Sequence, residues 1–228
     1  TATASGHAAQ ILALFPLMQP GDNIVAANKL YGGAINQMGH SYRKFGWMAV
    51  FVDPDDPENF HRAIDAHTRA IFIESLANPG GVVTDIAAIA AIAHEAGIPL
   101  IVDNTLATPY LCRPFEHGAD LILHSATKFL GGHGVALGGI IVDGGTFDWE
   151  DSGKFPTLTE PYAGYHGLDF VEEFGPEAFV MRARLEGLRD FGACMSPANA
   201  FHILQGVETL PLRMTRHIDN TRKIVNFL

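Results

Sequence analysis

Cysteine is scarce in these 228 residues: Cys112 and Cys194 are the only two. One pair cannot staple a small secreted fold, so the expected compartment is reducing and cytoplasmic. Charge is thin, at 18% of residues, and no basic run occurs; 15 Lys and Arg face 25 Asp and Glu, for a net charge of −10. Such a chain repels a phosphate backbone, which excludes nucleic acid as an expected partner. Long apolar runs are missing too. The most apolar stretch, around residues 86–93, is far too short for a bilayer and reads as a buried helix. No basic-then-apolar secretory pattern opens the chain. Neither a His-Glu-x-x-His helix nor a Cys-x-x-Cys pair is present, so no metal site is expected.

What is present is enough apolar material, 47% of residues, for one large α/β domain or a domain with part of another. Strand-length apolar runs at 24–27, 47–52, 70–74, 99–103, 120–124 and 139–142 alternate with helical patterns at 5–18, 33–45, 57–66 and 85–96. This alternation predicts parallel strands with helical crossovers on both faces of a sheet. Residues 144–175 are rich in Gly, Pro and aromatics without periodicity and read as a functional loop or insertion. Helical patterns return at 176–188 and 197–206, and a last one begins at Leu212. The first helix entry, Ser5-Gly6-His7, has no strand signal before it, and the chain stops inside a helical pattern. Both ends read as parts of a longer protein.

Several expected strands finish on a functional side chain: Glu74, Asp103, and His124 followed by Ser125. In an open parallel sheet such groups collect along the edge where ligands bind. Ser125-Ala126-Thr127-Lys128-Phe129-Leu130-Gly131-Gly132 adds chemistry to that edge. A lysine just past a buried strand can project its amine into a cavity, and burial would disfavour its charged form, as a Schiff base requires. Ser125 and Thr127 offer hydroxyls to a phosphate, and the glycines admit close backbone approach. Ser5 is a candidate cap of a helix whose start presents free amides and positive potential to an anion. Ser125-x-x-Lys128 also fits the nucleophile motif of penicillin-interacting serine enzymes, but the Ser-Asp-Asn and Lys-Thr-Gly companions are absent. Gly132-x-Gly134-x-x-x-Gly138 has the wrong spacing for a dinucleotide fingerprint.

Five motifs together resemble a known family. Ser5-Gly6-His7-Ala8-Ala9, Tyr31-Gly32-Gly33, Glu74-Ser75-x-x-Asn78-Pro79, Val102-Asp103-Asn104-Thr105 and Ser125-Ala126-Thr127-Lys128 stand in the order found in the Cys/Met-metabolism pyridoxal 5′-phosphate (PLP) enzymes. This is the cystathionine γ-synthase-like group of PLP fold-type I. Lys128 through Gly134, Leu188 through Ala193, Ser196-Pro197-x-Asn199-Ala200-Phe201 and Gln205-Gly206-x-Glu208-Thr209-Leu210 resemble its O-acetylhomoserine sulfhydrylase branch.

The resemblance implies an α/β fold of the aspartate aminotransferase-like large-domain type, with a mostly parallel central sheet and helices on both faces. It implies a PLP-binding domain over residues 1–211. Residues 212–228 would begin a helix leading to a small C-terminal domain. The cofactor implied is PLP, with Lys128 as the Schiff-base lysine and proton shuttle and Asp103 as partner of the pyridine nitrogen. Tyr31 stacks on the ring and handles protons, Gly6 and His7 bind phosphate through backbone amides, and Ser5, Ser125 and Thr127 complete that cup. Asn78 approaches the ring hydroxyl. The implied reaction is γ-replacement on O-acetylhomoserine with sulfide or a thiol as sulfur donor. Methionine γ-lyase, cystathionine γ-synthase and cystathionine lyase share every cofactor motif and remain open, as does an inactive oligomerising fragment. The implied assembly is a homo-oligomer, a tetramer built from dimers with shared active sites. A phosphate-binding Tyr/Arg pair from a neighbouring subunit's N-terminal arm and a carboxylate-binding arginine from the small domain lie outside these residues.

Overall fold

A computed structural model describes all residues from 1 to 228. Seven strands, β1 (Ala2–Thr3), β2 (Asn23–Ala27), β3 (Met48–Val52), β4 (Thr68–Glu74), β5 (Leu100–Asp103), β6 (Leu121–His124) and β7 (Gly139–Asp143), form one sheet in the order β1-β7-β6-β5-β4-β2-β3. Pairs from β3 through to β6 are parallel, whereas β7 runs antiparallel to β6 and β1 antiparallel to β7. The α/β class and the mostly parallel sheet are therefore as the sequence led one to expect. Continuous apolar runs mark the centre: β2 and β6 are buried at every position. A strand covered on both faces needs no polar alternation. Edge strand β3 instead leaves Met48 and Val50 exposed.

Twelve α-helical segments surround the sheet: α1 (Gly6–Leu14), α2 (Gly32–Asn36), α3 (Glu58–Ala63), α4 (Ile86–Glu95), α5 (Thr108–Leu111), α6 (Trp149–Ser152), α7 (Pro156–Thr159), α8 (Phe170–Phe174), α9 (Ala178–Arg182), α10 (Arg189–Phe191), α11 (Pro197–Glu208) and α12 (Leu210–Phe227). Starts are signalled locally. Ser5 Oγ accepts from Ala8 N at 3.1 Å, Asp85 Oδ1 from Ala88 N at 3.1 Å, and Ser196 Oγ from Asn199 N at 3.1 Å. Each cap satisfies a first-turn amide that the helix cannot reach.

Four expectations need correction. A strand does precede α1: Thr1 N donates to Ile141 O at 2.7 Å and Ile141 N to Thr1 O at 2.9 Å. Two residues are too few to show a period. The single helix expected at 33–45 changes hydrogen-bond pattern twice, passing from α2 into a π turn at Gln37–Ser41 and a 3₁₀ turn at Tyr42–Phe45. Gly46 ends it with φ 78°, a backbone state open to glycine without a Cβ clash. The last helix begins at Leu210, not Leu212. Pro211 sits in its first turn, where the missing N–H has no intrahelical partner to lose.

Residues 144–175, expected to lack regular structure, form short helices at Trp149–Ser152, Pro156–Thr159 and Phe170–Phe174. Trp149, Phe155, Leu158 and Phe170 are buried and belong to the main core cluster. Trp149 meets Phe155 edge-on at 5.1 Å and stacks on Phe179 at 5.6 Å. Buried Arg182 lies 4.1 Å over Tyr162 and pairs with Glu186 at 2.6 Å. Aromatic packing among short helical turns replaces the periodicity that a sequence reading looks for. A second, smaller cluster joins Ala126 and Leu130 to Ile203, Leu210 and Met214. No helix is long and apolar enough to cross a membrane.

Candidate active site

Because β3 lies on one side of β2 and β4 on the other, the chain reverses its direction of travel across the sheet there. The carboxyl ends of strands at such a reversal splay apart and leave a crevice. A cavity of about 280 Å³ opens at this edge. The nine residues expected to bind the cofactor line it, Ser5, Gly6, His7, Tyr31, Asn78, Asp103, Ser125, Thr127 and Lys128, as does the strand-end Glu74, whereas the strand-end His124 is buried away from it. They come from the start of α1, the loop after β2, the turn after β4, the end of β5 and the turn after β6.

At one end of the cavity, α1 and β6 meet almost backbone to backbone. A Cβ on Gly6 would lie 2.7 Å from Ser125 Cβ, so only glycine permits this approach. Ser5 accounts for the amides of Ala8 and Ala9, whereas those of Gly6 and His7 find no acceptor in the chain. Free amides at a helix start are suited to an anion. The Thr127 hydroxyl is bracketed by Gly138, donating to its carbonyl at 3.2 Å and accepting from its amide at 3.0 Å. To donate to an anion it must release that carbonyl.

Asp103 lies deeper. Its Oδ1 accepts from Thr105 N at 2.9 Å and Thr105 Oγ1 at 2.5 Å, and its Oδ2 has only a long 3.5 Å contact from Gln10 Nε2. Burial raises the carboxyl's pKa, and the Thr105 bonds only partly oppose this. No cationic side chain pairs with it. A half-buried carboxylate that faces a cavity without a cationic partner suits a ligand that carries a protonated nitrogen.

Glu74, beside Asp103 in register, holds two loops at once. Its Oε1 accepts from Tyr31 N at 2.7 Å and its Oε2 from Asn78 N at 3.0 Å. Burial pushes its carboxyl up to about 7 against the pull of those two amides, with the nearby Asp103 charge adding to the rise. Tyr31 is 47% exposed, and its ring lies 5.9 Å from that of His7. Asn78 precedes Pro79 through a cis peptide bond.

Lys128 departs from expectation in one respect. Its side chain lines the cavity but is exposed, where the sequence reading expected it to be buried. It sits on a turn beyond the end of β6, where the cavity opens to solvent.

Sequence reasoning missed Gln10, Thr105, Leu76, Leu106 and Leu137 as lining residues. Gln10 was findable. It is four residues after Gly6, hence on the same face of α1, and an amide buried in an otherwise apolar helix must be satisfied. Its Oε1 is buried without a partner.

The profile of the Cys/Met metabolism PLP-dependent enzyme family matches residues 1–228. An O-acetyl-L-homoserine sulfhydrylase of Leptospira meyeri is 51% identical over all of this chain and 53% of its own length. A homocysteine/cysteine synthase of Saccharomyces cerevisiae is 48% identical over all of this chain and 52% of its own. Among solved structures, a Campylobacter jejuni protein described as an O-acetylhomoserine (thiol)-lyase superposes with a TM-score of 0.94 at 40% identity. It covers 99% of this chain and 56% of the other, and its crystal structure carries N′-pyridoxyl-lysine-5′-monophosphate. The chain thus spans about half the length of the curated relatives it matches. With that profile running across every residue and the motif side chains gathered at one cavity, the chain belongs to the Cys/Met metabolism PLP-dependent enzyme family.

Proposed function

We propose that the protein containing these residues carries out PLP-dependent γ-replacement on O-acetyl-L-homoserine. Sulfide or a thiol is the incoming donor, acetate leaves, and L-homocysteine or methionine is the product. The observation that carries this reading is the meeting of Lys128, Asp103 and the start of α1 at one cavity, although they are far apart in sequence. Sulfhydrylase names among the relatives favour this substrate over those of the lyases.

The site residues fit PLP at both ends. Free amides of Gly6 and His7, with the hydroxyls of Ser5, Ser125 and Thr127, suit its phosphate. The unpaired Asp103 carboxylate suits its pyridine nitrogen in the protonated form. Lys128 would bond its aldehyde carbon, and Tyr31 and Asn78 complete the holding set. When bound, PLP supplies an electron sink for negative charge developing on the substrate.

The remaining work falls to the chain. Lys128 Nζ, as the free amine, would take the proton from the substrate Cα and serve as the carrier to and from Cβ. The Tyr31 phenol is the second proton carrier. Positioned acid–base groups of this kind contribute roughly 10²–10⁴-fold. Asp103 keeps the nitrogen it holds protonated, and the Thr105 hydroxyl keeps the Asp103 carboxylate oriented.

The wider reading is a cytoplasmic homotetramer built from dimers with shared active sites, in which residues 212–228 lead from the PLP-binding domain towards a smaller one. Supporting the shared site, Leu137 at the cavity wall is 60% exposed and nearby Val135 is 65% exposed, an apolar rim suited to cover. Sedimentation of the full-length protein gives the subunit number directly.

The test is a visible absorption spectrum of full-length protein and its Lys128→Ala variant, before and after borohydride. The parent is expected to show a PLP band that borohydride abolishes, and the variant to lack it. Product analysis with O-acetylhomoserine plus sulfide should give homocysteine. Preferential turnover of methionine or cystathionine would move the assignment to a lyase, and preferential formation of cystathionine from added cysteine would move it to cystathionine γ-synthase. A parent that stays colourless with added PLP would overturn the reading.

A further inference from the structure

The turn that carries Lys128 is held from behind. Ala126 and Leu130 pack against Ile203 of α11 and against Leu210 and Met214 of α12. Main chains meet here without intervening side chains: a Cβ on Gly206 would lie 2.0 Å from Gly131 O and 2.8 Å from Leu130 O. The turn's own bonds, Lys128 N to Ser125 O at 3.1 Å, Gly131 N to Ala126 O at 2.9 Å and Gly132 N to Lys128 O at 2.8 Å, leave the carbonyls of Phe129 and Leu130 unused.

Arg213, on α12, reaches into this junction. Its guanidinium donates to Phe129 O at 2.8 Å, Leu130 O at 3.3 Å and Gly206 O at 2.7 Å, while Nε donates to Thr209 Oγ1 at 3.1 Å. A Cβ on Gly132 would lie 2.4 Å from its Cζ, so the guanidinium fills room that any side chain there would take. No carboxylate pairs with it; the cation is held by three main-chain carbonyls and one hydroxyl. Carbonyls in a non-helical turn have no ladder to bond to, and leaving them unpaired in a packed junction is costly. A planar fork with several donors can serve both segments at once, which an ammonium cannot.

We propose that Arg213 is a positioning residue for Lys128. By pinning the carbonyls of the two residues that come after the lysine, it fixes the turn and keeps the amine over the cavity. Arg213 does not line the cavity, so it acts through the backbone alone. The inference rests on the reading of Lys128 as the lysine that bonds PLP. It adds that α12 governs how well that lysine is held.

The experiment uses full-length, PLP-loaded protein. Borohydride reduction and peptide mapping come first; a label on any residue other than Lys128 would sink the underlying reading, an outcome distinct from any failure at Arg213. Arg213→Met is then compared with Met214→Ala, which weakens the same small core without touching the turn's carbonyls. The readouts are PLP dissociation and hydrogen exchange of the amides at 127–132. Arg213→Met is expected to weaken PLP binding roughly tenfold or more, the loss of at least one charged hydrogen bond, and to speed exchange in the turn. Met214→Ala should leave both within about twofold while lowering the melting temperature. Parental behaviour of Arg213→Met, or equal losses in Met214→Ala, would overturn the proposal. Should Arg213→Met fail to fold, Arg213→Lys decides: weaker PLP binding with faster exchange supports the proposal, and parental values refute it.

Discussion

The amide of Tyr31 donates a 2.7 Å hydrogen bond to Glu74 Oε1, joining the loop after β2 to the end of β4. These are the two strands between which the chain changes its direction across the sheet. The other oxygen of the same carboxyl takes the Asn78 amide, so one buried side chain sets the spacing of two cavity walls. A carboxylate can accept from both amides; a carboxylic acid must offer one of them its O–H oxygen, a weaker acceptor.

The first prediction comes from that carboxyl's position near pH 7. A folded pKa above the unfolded value of 4.5 means that the folded state binds more protons between pH 4.5 and about 7. Glu74 therefore makes stability fall as pH rises through this window, by about 3 kcal/mol in all. Glu74→Gln removes that slope. Urea unfolding from pH 4.5 to 8 should show a smaller decline in the variant than in the parent; parallel curves would disprove the assignment.

Gly33 supplies a second test. A Cβ there would lie 2.4 Å from the Tyr31 ring and 2.9 Å from the His7 ring, whereas one on Gly32 would meet nothing within 4 Å. Both glycines belong to α2, so the intrinsic helix effect of alanine is shared. Gly33→Ala should displace the two rings and weaken PLP binding by about 1–3 kcal/mol, the usual cost of overpacking. Gly32→Ala should bind PLP like the parent in a spectral titration.

Thr105 connects β5 to the lysine turn. Its hydroxyl donates to Asp103 Oδ1 at 2.5 Å and accepts from Ser125 N at 2.7 Å. Thr105→Val keeps the shape but leaves the Ser125 amide without an acceptor, costing about 1–3 kcal/mol. Thr105→Ser should restore most of this loss in urea unfolding.

Phe155 tests the correction to residues 144–175. A loop without packed structure would tolerate Phe155→Ala, but the side chain is fully buried against Trp149. Loss of about 3–5 kcal/mol is expected, read as a drop in the unfolding midpoint.

The sequence pointed to cavity-lining residues wherever a motif was local. Ser5-Gly6, Asp103 and Lys128 each sit at a strand end or helix start that neighbouring residues announce. It failed where the partner lies far along the chain. Gln10 meets Asp103 across 93 residues, and Arg213 meets Phe129 across 84. Nothing near Arg213 distinguishes it from Arg216 or Arg222 on the same helix. The π and 3₁₀ turns after α2 escaped notice because the apolar spacing hardly differs among the three helical types over so few residues.

The order of strands and helices, the helix caps and the motifs that mark the candidate site were determined by the sequence itself, because each depends on side chains within a few positions of one another. Which groups share a wall of the cavity, how exposed Lys128 is, and which arginine steadies its turn were decided only by tertiary structure. Those properties arise when crossovers fold distant segments against one sheet edge, and short-range patterning carries no record of that distance.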